Sequence, residues 1–491
     1  MNDVDTVAAS AAMAAPEWAA VPPIARARSL RAAADALEAH RSELVGLAAE
    51  ETALGLPRLE SELTRTIVQL RLFSEVVAAG DELDVCIDDA DPEFVLGPRP
   101  DLRRYRVPLG PVLNFAASNF PFAFSVAGGD TASALAAGCP VIVKAHSGHP
   151  RLSVRTTEVV STALIESGAP AGTLAMVSSQ DAGIALIRDP RIRAASFTGS
   201  TGVGRMLADL AAAREAPIPF YGELGSLNPV FVTATAIAEH GDKIAQGLAT
   251  AVAGSAGQLC TKPGFVFLPT GHGLVPLLSH ALETAHEHRL LTTSVSKGFV
   301  DGRRRAFEDT AVDAVVPGTV RMDEDQYAWT TPAIATIAAA DLARRPSLVD
   351  EVFGPFAFLV EYEETDDLLG IADRIFQGNL TVTVHAGKDE DVRPLLDWAA
   401  AHSGRVIFGG WPTGVSVTPA QQHGGPWPAT TLGTGTSVGT AAITRFQRSV
   451  AYQDVPDSML PEPLRDSNPW RVPQRHSPAG QSGAWGMNPS E

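Results

Sequence analysis

Apolar residues recur at helical spacing in two stretches near the start of the chain. In residues 24–52 and again in 57–79, leucine, alanine, isoleucine or valine returns every three or four positions, which is the spacing of one buried helix face. We therefore predict two amphipathic helices, the second with Pro57 in its first turn, where proline is tolerated. The charged segment 86–106 predicts an extended hairpin that leaves the main body.

From residue 107 onward, short apolar runs alternate with helical patterns. The first series predicts strands at 107–115, 141–143, 174–177, 194–198 and 218–224, with helices over 152–167, 181–188 and 203–213. A second series runs from about 229 to 408, with strands at 265–268, 356–360, 381–385 and 405–408. Repeated β-α units predict parallel, doubly wound sheets, so the expected fold class is α/β.

Two later segments lack both patterns. Residues 409–440 are rich in Gly, Thr, Ser and Pro and predict a long ordered loop, a kind of segment that often carries function. Residues 461–491 hold six prolines and little apolar character, so we expect an extended or disordered tail. The run 111–129 has 19 residues without a charge, but its prolines, asparagines and glycines favour a buried strand, turn and helix over a membrane span.

The charge and cysteine content narrow the class of protein. The 491 residues include 38 Lys and Arg against 56 Asp and Glu, a formal net charge of −18. This field repels phosphate backbones, so we expect no nucleic-acid partner. The N-terminal segment is acidic where a signal peptide is basic, and Cys86, Cys139 and Cys260 form no Cys-x-x-Cys pair. We predict a cytoplasmic protein with reduced thiols and no membrane partner.

Cys260 and Glu223 are the first candidates for chemistry. Cys260 lies in a glycine-flanked segment between a predicted helix and strand, where backbone amides and a nearby lysine are expected to lower its pKa and make it a nucleophile. The alternative is a small buried hydrophobic residue. Glu223 ends a predicted strand, where carboxylates face the ligand crevice of an α/β sheet. Its alternative is an ordinary carboxylate in water.

Three more polar residues lie beside buried segments. Asn119 is expected to cap a helix or to donate its amide to an oxyanion. Lys144 ends an apolar strand. The alternative to a functional role for it is a lysine at the sheet edge whose charged head is in water. For Glu351, the alternative to a functional role is an ordinary carboxylate in an exposed loop. The close histidine pairs lack carboxylate clusters at metal spacing, so we expect no metal site at His146, His149, His286 and His288.

Dinucleotide-binding signals are weak when taken one at a time. No G-x-G-x-x-G follows a strand, and no phosphate-binding P-loop motif is present. The nearest pattern is Gly199-Ser-Thr-Gly202-Val-Gly204, which follows a predicted strand and opens a helix. Backbone amides at such a turn can hold a pyrophosphate, although a simple tight turn has the same pattern.

In their order along the chain, these motifs resemble the aldehyde dehydrogenase superfamily over roughly residues 20–460. The matching segments are Pro108-Leu-Gly-Pro111, Ser118-Asn-Phe-Pro121, the strand ending at Lys144, Phe197-Thr-Gly-Ser-Thr201, Glu223-Leu-Gly225, Gly257-Gln-Leu-Cys260 and Glu351-Val-Phe-Gly-Pro355. A closer similarity, to the α-ketoglutarate semialdehyde (2,5-dioxovalerate) dehydrogenase branch, is carried by Ser125–Pro140, Glu223–Pro229, Cys260–Gly264, Gly410–Gly414 and His423–Pro426.

The resemblance implies a role for each candidate residue. Cys260 would attack the aldehyde carbon, the Asn119 amide and the Cys260 N–H would hold the oxyanion, and Glu223 would activate the water that hydrolyses the thioester. The cofactor-binding set would be Lys144, Ser147, Thr198, Gly199, Ser200, Glu351 and Phe353. Ser147 occupies a position where many NAD-preferring relatives carry glutamate, so we expect NADP as the cofactor, with NAD also possible.

The resemblance also implies an organisation and a substrate. We expect an aldehyde dehydrogenase-like fold with two doubly wound α/β domains and a small β element. The cofactor domain would span 1–85 and 107–225, the catalytic domain 226–430, the oligomerisation strands 86–106 and 436–460, and the tail 461–491. A homodimer or homotetramer follows from this analogy.

The expected substrate is a short aldehyde with a distal carboxylate, 2,5-dioxopentanoate, which is oxidised to 2-oxoglutarate. The loop 409–431 carries no charged residue, and its hydroxyls, amides and His423 can hold a carboxylate without a fixed cation. Trp411 and Trp427 would instead suit an apolar tunnel for a fatty aldehyde, which is one alternative. The others are a non-catalytic nucleotide-binding or structural protein and an acyltransferase that uses coenzyme A.

Overall fold

The computed structural model of the chain describes residues 4–481. The helices are α1 Val4–Ala20, α2 Pro23–Ala39, α3 Arg41–Thr52, α4 Leu56–Ala79, α5 Gly129–Ala137, α6 Pro150–Glu166, α7 Gln180–Arg188, α8 Thr201–Ala212, α9 Ala234–Ala253, α10 Val275–Leu282, α11 Thr293–Glu308, α12 Ala339–Leu342, α13 Leu368–Ile375 and α14 Arg393–His402.

The strands divide among four sheets. They are β1 Val85–Asp88, β2 Leu102–Pro108, β3 Val112–Phe115, β4 Val141–Lys144, β5 Leu174–Val177, β6 Ala194–Thr198, β7 Phe220–Glu223, β8 Val230–Val232, β9 Phe265–Pro269, β10 His288–Arg289, β11 Asp313–Val316, β12 Val320–Met322, β13 Ala328–Thr330, β14 Ala333–Ala338, β15 Phe356–Tyr362, β16 Asn379–His385, β17 Ser403–Phe408, β18 Gln447–Gln453 and β19 Gln474–Ser477.

The first alternating series forms a five-stranded parallel sheet in the order β5-β4-β3-β6-β7. Every residue of β3 is buried, as expected for a central strand covered by helices on both faces. The second series forms a seven-stranded sheet in the order β11-β14-β15-β9-β8-β16-β17, in which only the edge strand β11 is antiparallel among the described pairings. Both sheets confirm the predicted doubly wound α/β fold.

A separate four-stranded sheet joins distant parts of the chain. Its order is β18-β2-β1-β19, and β1 and β2 form the antiparallel hairpin predicted from the sequence. The C-terminal segment contributes β19, which runs parallel to β1. Its Leu464 and Val472 are buried with Val85 and Ile87, so burial of apolar side chains holds this segment against the hairpin. The rest of the predicted tail, 482–491, lies outside the described residues.

Two predicted elements were wrong in detail, and one helix was missed. Residues 24–52 form two helices, because the chain leaves helical geometry at His40, whose carbonyl accepts the first bond of α3 from Leu44. Residues 107–115 form two strands, because Gly110 has a φ of 116° and Pro111 offers no N–H. The alanine-rich helix α1 was not predicted. Among the described residues, no helix is long and apolar enough to cross a membrane.

The predicted long loop runs between the two large sheets. Over 409–439 the chain forms no regular helix or strand. Part of it lies along the end of β7, where Leu224 N–H donates to the Ala429 carbonyl at 2.8 Å and Glu223 forms an isolated bridge with Thr430. The loop therefore brings its own side chains to the carboxyl end of a parallel strand, where ligands bind in α/β folds.

Candidate active site

A strained turn presents the Cys260 thiol. Helix α9 ends at Ala253, and the next residues include Ser255 and Ala256 with φ of 52° and 51°, values that non-glycine residues seldom adopt. At Gly257 a Cβ would lie 2.2 Å from the Gly354 carbonyl oxygen, so only glycine fits this close approach. Backbone strain of this kind is concentrated at functional sites. The turn holds Cys260 half-buried between the two large sheets.

Three reactive side chains meet at this point. His423 Nε2 lies 2.8 Å from Glu223 Oε1 and 3.6 Å from Cys260 Sγ. The Ser437 hydroxyl donates to the other carboxylate oxygen of Glu223 at 2.6 Å. Since a carboxylate only accepts hydrogen bonds, the short His423 contact assigns the proton to Nε2. The structure therefore brings together the predicted Cys260 and Glu223, with His423 and Ser437 from the long loop.

The predicted lowering of the Cys260 pKa was wrong. Burial, and next the negative charge of Glu223, raise the pKa of the thiol well above its ordinary value. The positive charge of Arg405 lowers the pKa but does not offset them, and the nearby Lys262 directs its Nζ to the Phe356 carbonyl at 2.6 Å. The resting residue is a thiol, and the thiolate is its minor form at neutral pH.

Glu223 has the opposite tendency. Burial by itself would raise the pKa of this carboxyl group, but His423, together with the hydroxyl of Ser437, more than offsets it, so that the pKa lies below its ordinary value. Glu223 is 4% exposed. A buried carboxylate that stays ionised is able to accept a proton from a nearby water molecule.

Amide groups fix the segment that carries the nucleophile. The Asn119 amide donates to the Gln258 carbonyl at 3.1 Å, which leaves its second N–H for another acceptor. Asn228 donates to the carbonyls of Cys260 and Lys262 at 2.8 and 3.0 Å. Sequence reasoning did not single out Asn228, His423 or Ser437 for these roles. For Asn228 the available signal was its place in the Glu223–Pro229 motif.

The predicted cofactor residues fall into two groups. The first group lies at the carboxyl ends of β4 and β6. Lys144 and Thr198 are the last residues of these strands, and Ser147, Gly199 and Ser200 come after them, the last two exposed just before α8. Glu351 belongs to the second group, and its Oε2 lies only 2.6 Å from the position that a Cβ on Gly225 would occupy. Burial raises the pKa of Glu351, and the positive charge of Lys262 opposes that rise. Phe353 is half-buried nearby in sequence.

These groups fit a dinucleotide. Among residues 4–481, the Lys144 ammonium group has no hydrogen bond or ion pair, and burial lowers its pKa. A half-buried cation without a counter-charge, beside exposed backbone at a helix start, suits a phosphate group. The Glu351 carboxylate, held against glycine, suits the hydroxyls of a ribose.

The two tryptophans of the loop do not form an apolar tunnel. Trp411 packs against α9, where its Nε1 would lie 1.9 Å from a Cβ on Gly247, and its ring centroid is 5.0 Å from that of His385. Trp427 is 43% exposed, with the Arg205 guanidinium 5.4 Å from its ring centroid. The tunnel suggested for fatty aldehydes therefore lacks these walls.

The remaining candidates have structural surroundings. Cys139 is buried and donates to the Phe446 carbonyl, and His149 is held by Ser153 and the Ala117 carbonyl. The expectation that the chain holds no metal stays a prediction. Ligand atoms of Glu223, Cys260 and His423 lie within 4.8 Å of one another, which is also a spacing at which a metal ion can bind.

Comparisons with known proteins identify related chains. Residues 1–446 match the model of the aldehyde dehydrogenase family. The chain is 40% identical to alpha-ketoglutaric semialdehyde dehydrogenase 2 of Azospirillum brasilense, over 96% of this chain and 90% of that relative. It is 38% identical to the alpha-ketoglutaric semialdehyde dehydrogenase of Acinetobacter baylyi, with the same coverage.

Solved structures share the fold. A 1-pyrroline-5-carboxylate dehydrogenase superposes with a TM-score of 0.76 at 22% identity, covering 92% of this chain and 85% of the other. The same enzyme from Thermus with bound NAD has a TM-score of 0.76 at 21% identity, again covering 92% of this chain and 85% of that one.

Proposed function

The chain belongs to the aldehyde dehydrogenase family, and from this premise we propose that it oxidises 2,5-dioxopentanoate to 2-oxoglutarate. The observation that supports this substrate is the sequence identity of 38–40% to two semialdehyde dehydrogenases over 96% of the chain. The positions of Cys260 and Glu223 support the same chemistry, since a nucleophile and a base lie within reach of one carbonyl carbon.

In the proposed mechanism the Cys260 thiol loses its proton to solvent water, and the thiolate adds to the aldehyde carbon to form a hemithioacetal. The free N–H of the Asn119 amide and the Cys260 backbone N–H stabilise the oxyanion. When bound, the cofactor would supply a hydride acceptor in its nicotinamide, and loss of hydride from the hemithioacetal carbon would leave a thioester on Cys260. Glu223 then takes a proton from the water that hydrolyses the thioester. His423 is a positioning residue in this scheme, because its Nε2–H holds the Glu223 carboxylate beside the sulfur.

For the cofactor we propose NADP, with NAD as the second acceptor. Lys144 would bind the adenosine ribose or its 2′-phosphate, and Thr198, Gly199 and Ser200 would approach the pyrophosphate. Glu351 would hold the nicotinamide ribose, with Phe353 beside it. Ser147 is exposed three residues after Lys144, so no carboxylate stands at that position to repel a 2′-phosphate.

Replacing Ser147 with glutamate should weaken NADP selectively. The new carboxylate would repel the 2′-phosphate and accept hydrogen bonds from the free ribose hydroxyls of NAD. We expect kcat/KM for NADP to fall by about tenfold or more, while the value for NAD stays level or rises. Ser147→Gln, which has the same size without the charge, is the control. Equal efficiency for both cofactors before and after Ser147→Glu would contradict the assignment.

A chain-length series tests the proposed substrate. We expect kcat/KM to be highest for 2,5-dioxopentanoate, lower for other short ω-carboxy aldehydes and lowest for alkyl aldehydes. A steady rise from short carboxy aldehydes to long alkyl aldehydes would sink the semialdehyde assignment in favour of a fatty-aldehyde enzyme. Free coenzyme A should not accelerate turnover, because Glu223 is retained for hydrolysis.

Assembly and location follow the same proposal. We propose a cytoplasmic homodimer or homotetramer in which the sheet β18-β2-β1-β19 takes part, since β18 and β19 are its outer strands and outer strands offer unpaired backbone groups. Light scattering of the purified protein gives its mass in solution. A monomer at micromolar concentration would contradict the assembly.

A further inference from the structure

Arg65 lies close to the reactive cluster without being part of it. This half-buried residue on α4 has its guanidinium carbon 5.2 Å from the centroid of the Phe124 ring. The Phe124 centroid is 6.3 Å from that of His423, whose Nε2 is 3.6 Å from Cys260 Sγ. One aromatic ring therefore separates the cation from the imidazole that contacts the nucleophile.

Within the described part of the chain, no counter-charge is in contact with the guanidinium of Arg65. Its Nη1 is buried and has no hydrogen-bond partner among the described residues, and no ion pair to Arg65 is found within 4–481. Burial lowers the pKa of Arg65, while the charges of Glu62, Cys260 and Glu223 act in the other direction. Leaving a buried donor unpaired costs free energy, so an arginine kept in this state is suited to receive an anion from outside the chain.

The neighbouring Arg58 shows what a fully paired arginine looks like on the same helix. Its guanidinium donates to Glu62 Oε2 at 2.6 Å, to the Asn119 carbonyl at 2.7 Å and to the Ser255 hydroxyl at 2.8 Å. The other oxygen of Glu62 accepts backbone N–H groups of Phe122 and Ala123. Glu62, the acidic residue nearest to Arg65 in sequence, thus already has hydrogen-bond partners for both carboxylate oxygens. Arg58 also fixes the loop that carries Asn119.

The aromatic ring that lies beside the Arg65 guanidinium belongs to an apolar cluster. Phe124 belongs to a small cluster that also includes Phe120, Val415, Val417 and Val438, the three valines coming from the long loop. Glu223 is bound to His423 and Ser437, so it does not compete for the cation. The apolar cluster thus lies between a reactive thiol and a guanidinium without a counter-charge among the described residues. This arrangement suits a short aliphatic substrate that has an aldehyde at one end and an anionic group at the other.

We propose that Arg65 binds the distal carboxylate of the aldehyde substrate and thereby selects short ω-carboxy aldehydes. This inference rests on the proposed function and names the residue that would bind the distal carboxylate. The planar guanidinium suits a carboxylate because two parallel N–H groups can bind its two oxygens. It gives the carboxylate a fixed cation, where the sequence had suggested only hydroxyls, amides and His423 of the loop 409–431.

The test compares two aldehydes that differ only in the distal group. 5-Oxopentanoate and pentanal have the same five carbons, and only the first carries the carboxylate. For Arg65→Met we expect KM for 5-oxopentanoate and for 2,5-dioxopentanoate to rise by roughly 10–150-fold, with kcat nearly unchanged. For pentanal, kcat/KM should stay within about threefold of the unmodified enzyme. Arg65→Lys should recover part of the loss, because it restores the charge without the planar fork.

Controls separate this role from a structural one. Arg71→Met makes the same change on the same helix, at a residue paired with Asp35 near the surface, and should leave both aldehydes unaffected. Competitive inhibition by 2-oxoglutarate measures carboxylate binding without turnover, and its inhibition constant should rise in Arg65→Met in parallel with KM. A similar loss for pentanal and 5-oxopentanoate, or no loss for either, would overturn the proposal.

The same data keep the two proposals apart. If the unmodified enzyme prefers carboxy aldehydes and Arg65→Met leaves that preference intact, the Arg65 inference fails and the proposed function stands. If the unmodified enzyme prefers long alkyl aldehydes, the proposed function fails, and the Arg65 inference fails with it.

Discussion

Replacing Cys260 with alanine should abolish aldehyde oxidation and leave dinucleotide binding near normal. The thiol forms the covalent bond to the substrate in the proposed mechanism, so no other described side chain replaces it. It is not among the residues assigned to the cofactor. Steady-state turnover and fluorescence titration with NADP measure the two properties separately.

The matched control is Cys86→Ala. Cys86 is half-buried in β1, where it accepts hydrogen bonds from Arg104 and Arg475, and its loss should leave turnover intact. Substantial turnover in Cys260→Ala would show that the nucleophile has been assigned to the wrong residue.

Replacing Glu223 with glutamine should separate the two halves of the reaction. Glutamine preserves size but does not accept a proton from water, so hydride transfer in a single turnover should survive while thioester hydrolysis slows. We expect steady turnover to fall by roughly 10²–10⁴-fold. Stopped-flow absorbance of the reduced cofactor should show a rapid burst followed by a slow steady rate. Unchanged steady turnover would rule out Glu223 as the base.

The same variant tests why the thiol is protonated at rest. Burial and the charge of Glu223 raise the pKa of Cys260, so alkylation by iodoacetamide in the unmodified enzyme should be slow at pH 7 and rise about tenfold per pH unit toward alkaline pH. Removing the negative charge lowers the thiol pKa and increases the thiolate fraction at neutral pH. Glu223→Gln should therefore be alkylated faster at pH 7. Slower alkylation would mean that the carboxylate helps to remove the thiol proton.

Local pattern was sufficient for most of the fold. Strands β5 and β6 begin and end at the residues predicted from their apolar runs, because a strand buried on both faces requires a short continuous apolar segment. The same reasoning placed Glu223 at the end of a strand. The order of several short motifs identified the family, since each motif fixes a turn or a strand end that the fold needs.

Local pattern failed where a single residue changes direction. The break at His40 lies inside a stretch whose apolar spacing continues unchanged, and packing against other elements decides where such a helix divides. The helix α1 was missed because alanine positions mark a buried face only weakly. The segment leading to β19 has little apolar character overall, but Leu460, Leu464 and Val472 are buried in the cluster that includes the hairpin residues Val85 and Ile87.

The site divides in the same way. The sequence by itself determined the residue types, the strand ends and the glycine-rich turn that carry Cys260, Glu223, Asn119 and Lys144. Only the tertiary structure brought His423 to the carboxylate from 200 positions away in the chain, raised the pKa of the thiol and left Arg65 Nη1 buried without a hydrogen-bond partner among the described residues. These three properties depend on burial and on which charges face one another, and both are set by contacts between segments that no local pattern connects.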